Sequence, residues 1–193
     1  MRRKTITRST GETTVEIDIN LDGNGEYEIS TPVGFFNHML ELFAHHAKID
    51  LKIKADGDID VDYHHLVEDI GITLGKCFYE ALGDKRGIER YGFFLLPMDE
   101  TLVEVSLDFS GRGYLNFDVE FFTEKIGEFP SELVEEFFKA FAENAKCTLH
   151  IVKRYGKNSH HISEAIFKGV ARAIKFAIAK TGDTINSTKG VLE

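Results

Sequence analysis

His64-His65-Leu66-Val67-Glu68-Asp69 and His160-His161-Ile162-Ser163-Glu164-Ala165 are two versions of one phrase, 96 residues apart (160 − 64), and each opens a long helical run. After the first, Val67, Ile70, Leu74, Phe78 and Leu82 share one face until Gly83-Asp84 stops the helix. The second predicts a helix from His160 to about Lys180. Ala47-Lys48-Ile49-Asp50-Leu51 also matches Ala145-Lys146-Cys147-Thr148-Leu149, at an offset of 98 (145 − 47), which sets Glu136 opposite His38. The chain therefore reads as two related halves, 1–90 and 91–193.

Strands fill the space around these helices. Val15, Ile17, Ile19 and Leu21 alternate with polar residues, and Asp22-Gly23-Asn24-Gly25 predicts a β-hairpin onto Tyr27–Ser30. Apolar spacing through Phe36, Met39, Leu40, Phe43 and Ala47 predicts a helix, and Ile49, Leu51, Ile53 and Ala55 a strand after it. The second half repeats the order: strands at Tyr91–Leu96, Leu102–Phe109 and Tyr114–Phe121, a helix capped by Ser131, a strand at Cys147–Val152, then the His160 helix. Three strands, helix, strand, helix, twice over, is an α+β fold in which two sheets flank a layer of four helices.

Composition narrows the function. The 193 residues suit one domain or two intimately packed halves. Thirty-two acidic against 23 basic residues leave a net charge of -9, which excludes the basic face a nucleic-acid partner needs. Cys77 and Cys147 stand far apart without CxxC spacing and read as reduced core thiols of a cytoplasmic protein. The basic Met1–Thr10 stretch has no apolar signal core, and no run is long enough to span a membrane, so a membrane partner is not expected.

Six of the eight histidines occur as adjacent pairs, at 45–46, 64–65 and 160–161. Residues four apart share a helical face, so His64 with Glu68 and His160 with Glu164 are each poised to grip a cation. Their neighbours His65 and His161 point about 100° away and cannot easily serve the same ion. Two such motifs make paired sites that mix ligands from both halves or from different subunits. Imidazole and carboxylate without thiolate suit Mn²⁺, Fe²⁺, Zn²⁺ or Ni²⁺, with octahedral Mn²⁺ favoured over tetrahedral Zn²⁺. A single HHxxE could equally be a surface helix start, where the glutamate answers the dipole. His45-His46 lacks a carboxylate at i+4, and His150 between Leu149 and Ile151 reads as a packed strand residue.

Several ordered stretches carry a further signal: Arg8 with Gly11-Glu12-Thr13, Phe35-Phe36-Asn37-His38-Met39-Leu40, Asp62-Tyr63-His64-His65-Leu66-Val67-Glu68-Asp69 and Pro97-Met98-Asp99-Glu100. Ser110-Gly111-Arg112, Gly156-Lys157-Asn158-Ser159 with the second HHxxE motif, and Ser187-Thr188-Lys189-Gly190 complete the set. Together they span nearly the whole chain, which resembles the imidazoleglycerol-phosphate dehydratase family of histidine biosynthesis. The resemblance implies a ribosomal protein S5 domain 2-like fold and loss of water from D-erythro-imidazole glycerol phosphate to give imidazole acetol phosphate. It also implies two Mn²⁺ ions per active site and a homo-oligomer of 24 subunits with sites between them.

By motif position, one ion would take His64, Glu68 and His160, and the other His38, His65, His161 and Glu164. Many members place a further histidine where this chain has Glu136, a departure that a carboxylate ligand can still accommodate. Glu12 matches the family's glutamate near the reacting carbon and is the acid/base candidate, with Asp99 and Glu100 behind it. Arg90, Arg112, Lys168, Ser187 and Lys189 match the phosphate-binding set, and the tail from Thr181 to Glu193 would order over the phosphate. The bonds broken in this elimination are not labile alone, and a cation on the imidazole turns the ring into an electron sink. A dinuclear phosphate-ester hydrolase and a non-catalytic, metal-assembled shell protein are the two rival readings.

Overall fold

The structure is a computed structural model that describes residues 2–192; Met1 and Glu193, the outer ends of the two halves, lie outside the described residues. Its elements are β1 (Arg3–Ser9), β2 (Thr13–Asn20), β3 (Tyr27–Ser30), α1 (Gly34–Ala47), β4 (Asp50–Gly57) and α2 (His64–Leu82). There follow β5 (Tyr91–Met98), β6 (Thr101–Asp108), β7 (Tyr114–Asp118), the two-residue β8 (Lys125–Ile126) and β9 (Phe129–Pro130), α3 (Leu133–Ala145), β10 (Thr148–Tyr155) and α4 (Ser159–Ala177).

The first sheet has the order β1-β2-β4-β3 and the second β5-β6-β10-β7, which is the same topology. In each, the third strand of the half runs parallel to the strand after the helix, and the other neighbours are antiparallel. Lys48 and Lys146, at the 98-residue offset, both end their helices in the left-handed conformation, at φ 58° and 52°. The fold is α+β with the helices between two sheets: α1 and α2 lie on the first, α3 and α4 reach the second, and α1 meets α4 as α2 meets α3.

Phenylalanines fill the middle. Phe36, Phe137, Phe138 and Phe167 form one cluster and Phe43, Phe78, Phe109 and Phe141 another, all fully buried and mostly edge-to-face or tilted. The α2/α3 contact is closer than side chains usually allow, and two glycines make it so. A Cβ on Gly71 would stand 2.7 Å from the Phe137 carbonyl oxygen, and one on Gly75 would stand 2.6 Å from that of Phe141. This approach sets the heads of α2 and α3, and so His64, Glu68 and Glu136, on one side of the molecule.

Two expectations need correction. β2 and β3 are not a hairpin, because β4 is inserted between them and pairs with both. The loop after β2 wraps the start of β4 instead: Asp50 accepts from the backbone N–H of Asn24 (2.8 Å) and Glu26 (3.2 Å). The hairpin of this half is β1 with β2, and β1 shows no apolar alternation because Ile6 is its one apolar residue. Ser131 does not cap α3. Its hydroxyl donates to the carbonyls of Thr123 and Glu124, and Glu132 precedes the helix without a side-chain cap. Gly75→Val is expected to cost about 1–3 kcal/mol by overpacking, read as a lower urea midpoint at fixed protein concentration; an unchanged midpoint contradicts the close approach.

Candidate active site

The crossing of α1 and α4 brings together residues 126 positions apart. His38 Nε2 lies 3.3 Å and His160 Nε2 3.1 Å from the same oxygen, Oε1 of Glu164. One ligand atom from each lies within 4.8 Å of the others, a separation and donor set that fit a divalent cation. The other oxygen, Oε2, accepts a hydrogen bond from Lys168 one turn along α4. Burial alone would push the Glu164 carboxyl up, but the bonds from Lys168 and His160 outweigh it and hold it at about 2. Glu164 is therefore ionised with one oxygen presented to the two imidazoles. Asn158 sets this geometry at the helix head, its side chain accepting from the backbone N–H of His160 and His161.

His161 faces away from His160, the rings 89° apart. Its Nδ1 is 2.7 Å from Oε2 of Glu100, whose other oxygen accepts from the N–H of Asn158 (2.9 Å) and Lys157 (3.2 Å). The His161 bond, then the Asn158 N–H, hold the Glu100 carboxyl well below its usual range, while Glu100 raises His161. Asp99 is exposed on the turn, 3.7 Å from His161 Nε2.

The first half mirrors this arrangement. His65 Nδ1 lies 3.0 Å from Oδ2 of Asp58 and 3.7 Å from Oε2 of Glu12, and the Asp58 bond raises the imidazole above its ordinary value. Glu12 itself is mostly exposed. Asp69, which ends the first HHLVED motif, is buried and ties the β1/β2 end to α2, accepting from Arg8 (2.9 Å) and from the Thr13 hydroxyl.

Three of the expected metal residues meet within one chain. Within one chain His160 stands with His38 and Glu164, not with His64 and Glu68. His64 and Glu68 make no ion pair with each other, and Glu136 pairs with Lys139 at 3.5 Å. Even so, the offsets of 96 and 98 residues make Glu136, His64 and Glu68 the counterparts of His38, His160 and Glu164. His45 and His46 contact each other, and burial lowers His46, which suits a packed histidine.

Basic side chains gather at a second place. Arg90, Ser110, Arg112, Ser187 and Lys189 line one cleft of about 390 Å³ at the end of the second sheet. The tail reaches it by pairing with the segment before β5: Thr181 N–H donates to Gly87 O, and Asn186 Nδ2 to Glu89 O. Arg90 is not free in this cleft, since its guanidinium forks onto Asp108 at 2.7 and 3.0 Å. Lys168 stands outside it, bonded to Glu164. Arg112 and Lys189, which also line the cleft, make no ion pair among the described residues. Sequence reasoning missed Asp58; its one signal was a carboxylate in the Asp56-Gly57-Asp58 turn just ahead of the first histidine pair.

Comparison with known proteins shows the family. Residues 31–174 match the family model for imidazoleglycerol-phosphate dehydratase. The imidazoleglycerol-phosphate dehydratase of Caldicellulosiruptor bescii is 53% identical over 187 residues, covering 97% of this chain and 96% of that one. That of Clostridium botulinum is 55% identical over 188 residues, with the same coverage of 97% and 96%. The crystal structure of the Staphylococcus aureus dehydratase superposes with a TM-score of 0.85 at 44% identity, over 93% of this chain and 99% of that one. The Pyrococcus furiosus structure gives 0.85 at 39% identity, over 97% and 100%. The chain belongs to the imidazoleglycerol-phosphate dehydratase family, whose members are hydro-lyases.

Proposed function

We propose that this chain dehydrates D-erythro-imidazole glycerol phosphate to imidazole acetol phosphate in histidine biosynthesis, as a cytoplasmic homo-oligomer of 24 subunits using two Mn²⁺ ions per active site. The observation that carries the metal is the meeting of His38, His160 and Glu164 at one point. His64, Glu68 and Glu136 would hold the second ion, with His65 and His161 as further ligands. Bound cations supply electron withdrawal at the substrate's imidazole, which loosens the bonds beside the ring.

The protein's own groups do the rest. The carbon next to the ring loses hydroxide, its neighbour loses a proton, and the resulting enol becomes the ketone, so one water leaves and the phosphate ester stays. Glu12, exposed beside His65, would take and return that proton. Asp99 has a similar position beside His161 and is the second acid/base group. Arg112, Ser187 and Lys189 hold the phosphate, with Arg90 fixing the cleft through Asp108 and the Asn186 carbonyl. Lys168 was expected among the phosphate ligands by resemblance, and its bond to Glu164 supports a part in holding that carboxylate instead.

Chelation should abolish formation of the ketone and added Mn²⁺ should restore it, with elemental analysis finding two Mn²⁺ per chain. Full turnover by metal-free protein, or release of inorganic phosphate, contradicts the reading. Glu12→Gln should lower kcat about 10²- to 10⁴-fold at unchanged metal content; normal kcat removes Glu12 from the chemistry. Lys189→Ala should raise KM about 10- to 100-fold with little change in kcat, as steady-state kinetics will show.

A further inference from the structure

His65 and His161 hold equivalent places in the two halves, and each is fastened at Nδ1 by a carboxylate from outside its own helix. Asp58, at the end of β4, is 3.0 Å from His65, and Glu100, in the β5/β6 turn, is 2.7 Å from His161. A carboxylate on Nδ1 fixes the proton there, orients the ring and leaves Nε2 as the lone-pair nitrogen, the usual arrangement behind a metal-bound imidazole. Each ring stands nearly perpendicular to the preceding histidine, at 88° and 89°.

The two fasteners are not repeat equivalents, and the difference is informative. Glu12 precedes the buried Thr13 of β2 as Glu100 precedes the buried Thr101 of β6. In the second half this glutamate binds the histidine. In the first half Asp58 takes that place and Glu12 is left at 3.7 Å with an exposed side chain. Asp58 also keeps its second oxygen, Oδ1, buried without a hydrogen-bond partner from the protein.

We infer that Asp58 and Glu100 are positioning residues, which hold Nδ1 of His65 and His161 so that each Nε2 projects from the subunit to ligate a cation held by a second copy of the chain. Asp58 in addition frees Glu12 for proton transfer. The inference rests on the metal-dependent reading above and adds to it the residues that aim the outward ligands.

The test is Mn²⁺ titration of the full-length protein, with free Mn²⁺ followed by its EPR signal and particle size by light scattering on the same samples. Asp58→Ala and Glu100→Ala should each weaken Mn²⁺ binding about 10- to 100-fold and shift metal-driven assembly to higher Mn²⁺. Asp58→Asn and Glu100→Gln, which keep an acceptor for the Nδ1 proton, should recover most of the loss, and they keep the test valid should the alanine variants misfold. Wild-type protein that takes up no Mn²⁺ overturns the metal reading itself. Wild-type uptake matched by both alanine variants overturns this inference alone. Loss in Asp58→Asn as complete as in Asp58→Ala makes Asp58 a direct ligand with Glu12 and overturns it as well.

Discussion

One carboxylate oxygen, Oε1 of Glu164, sits between imidazoles from two helices, and the rest of the architecture serves to keep it there. A buried carboxylate is costly unless it is ionised and satisfied. Lys168 takes the other oxygen, Asn158 orders the turn that carries His160 and His161, and the phenylalanine cluster beneath α1 and α4 fixes their crossing. Without a cation the two imidazoles share Oε1 as hydrogen-bond partners. With one, the same three atoms are already close enough to become ligands.

A repeated topology lets a small chain carry two such helix heads. Each half places a histidine pair at the head of its second long helix, and the strand order around it is the same. The two halves differ at particular side chains. Glu136 stands where the other half has His38, which makes that set richer in oxygen and charge. Glu100 is tied to a histidine, whereas its counterpart Glu12 is released.

The helices and the repeat were legible in the sequence because their signals are local: apolar spacing set α2 to the residue, and paired motifs marked both helix heads. Long-range pairing was not. The glycine-rich loop after β2 looks like a tight turn, yet the partner of β2 on that side arrives 30 residues later, and no local pattern announces it. β1 was hidden because an edge strand with one face to solvent needs few apolar residues. At the site, spacing found the His160–Glu164 pair but not its third member, since His38 comes from another helix. His64 and Glu68, at the same spacing, make no ion pair with each other within one chain. Asp58 and the diversion of Arg90 to Asp108 depend on tertiary contacts that spacing does not encode, whereas the Glu164–Lys168 bond is an i,i+4 pair on one helix that spacing could have found.

Oε1 of Glu164 and the two imidazoles beside it are proposed to form a cation site. Anomalous scattering at the manganese edge, from crystals grown with Mn²⁺, tests it most directly. The account predicts a peak within bonding distance of His38, His160 and Glu164 of one chain; crystals with manganese bound elsewhere and those three side chains still hydrogen-bonded to one another would contradict it.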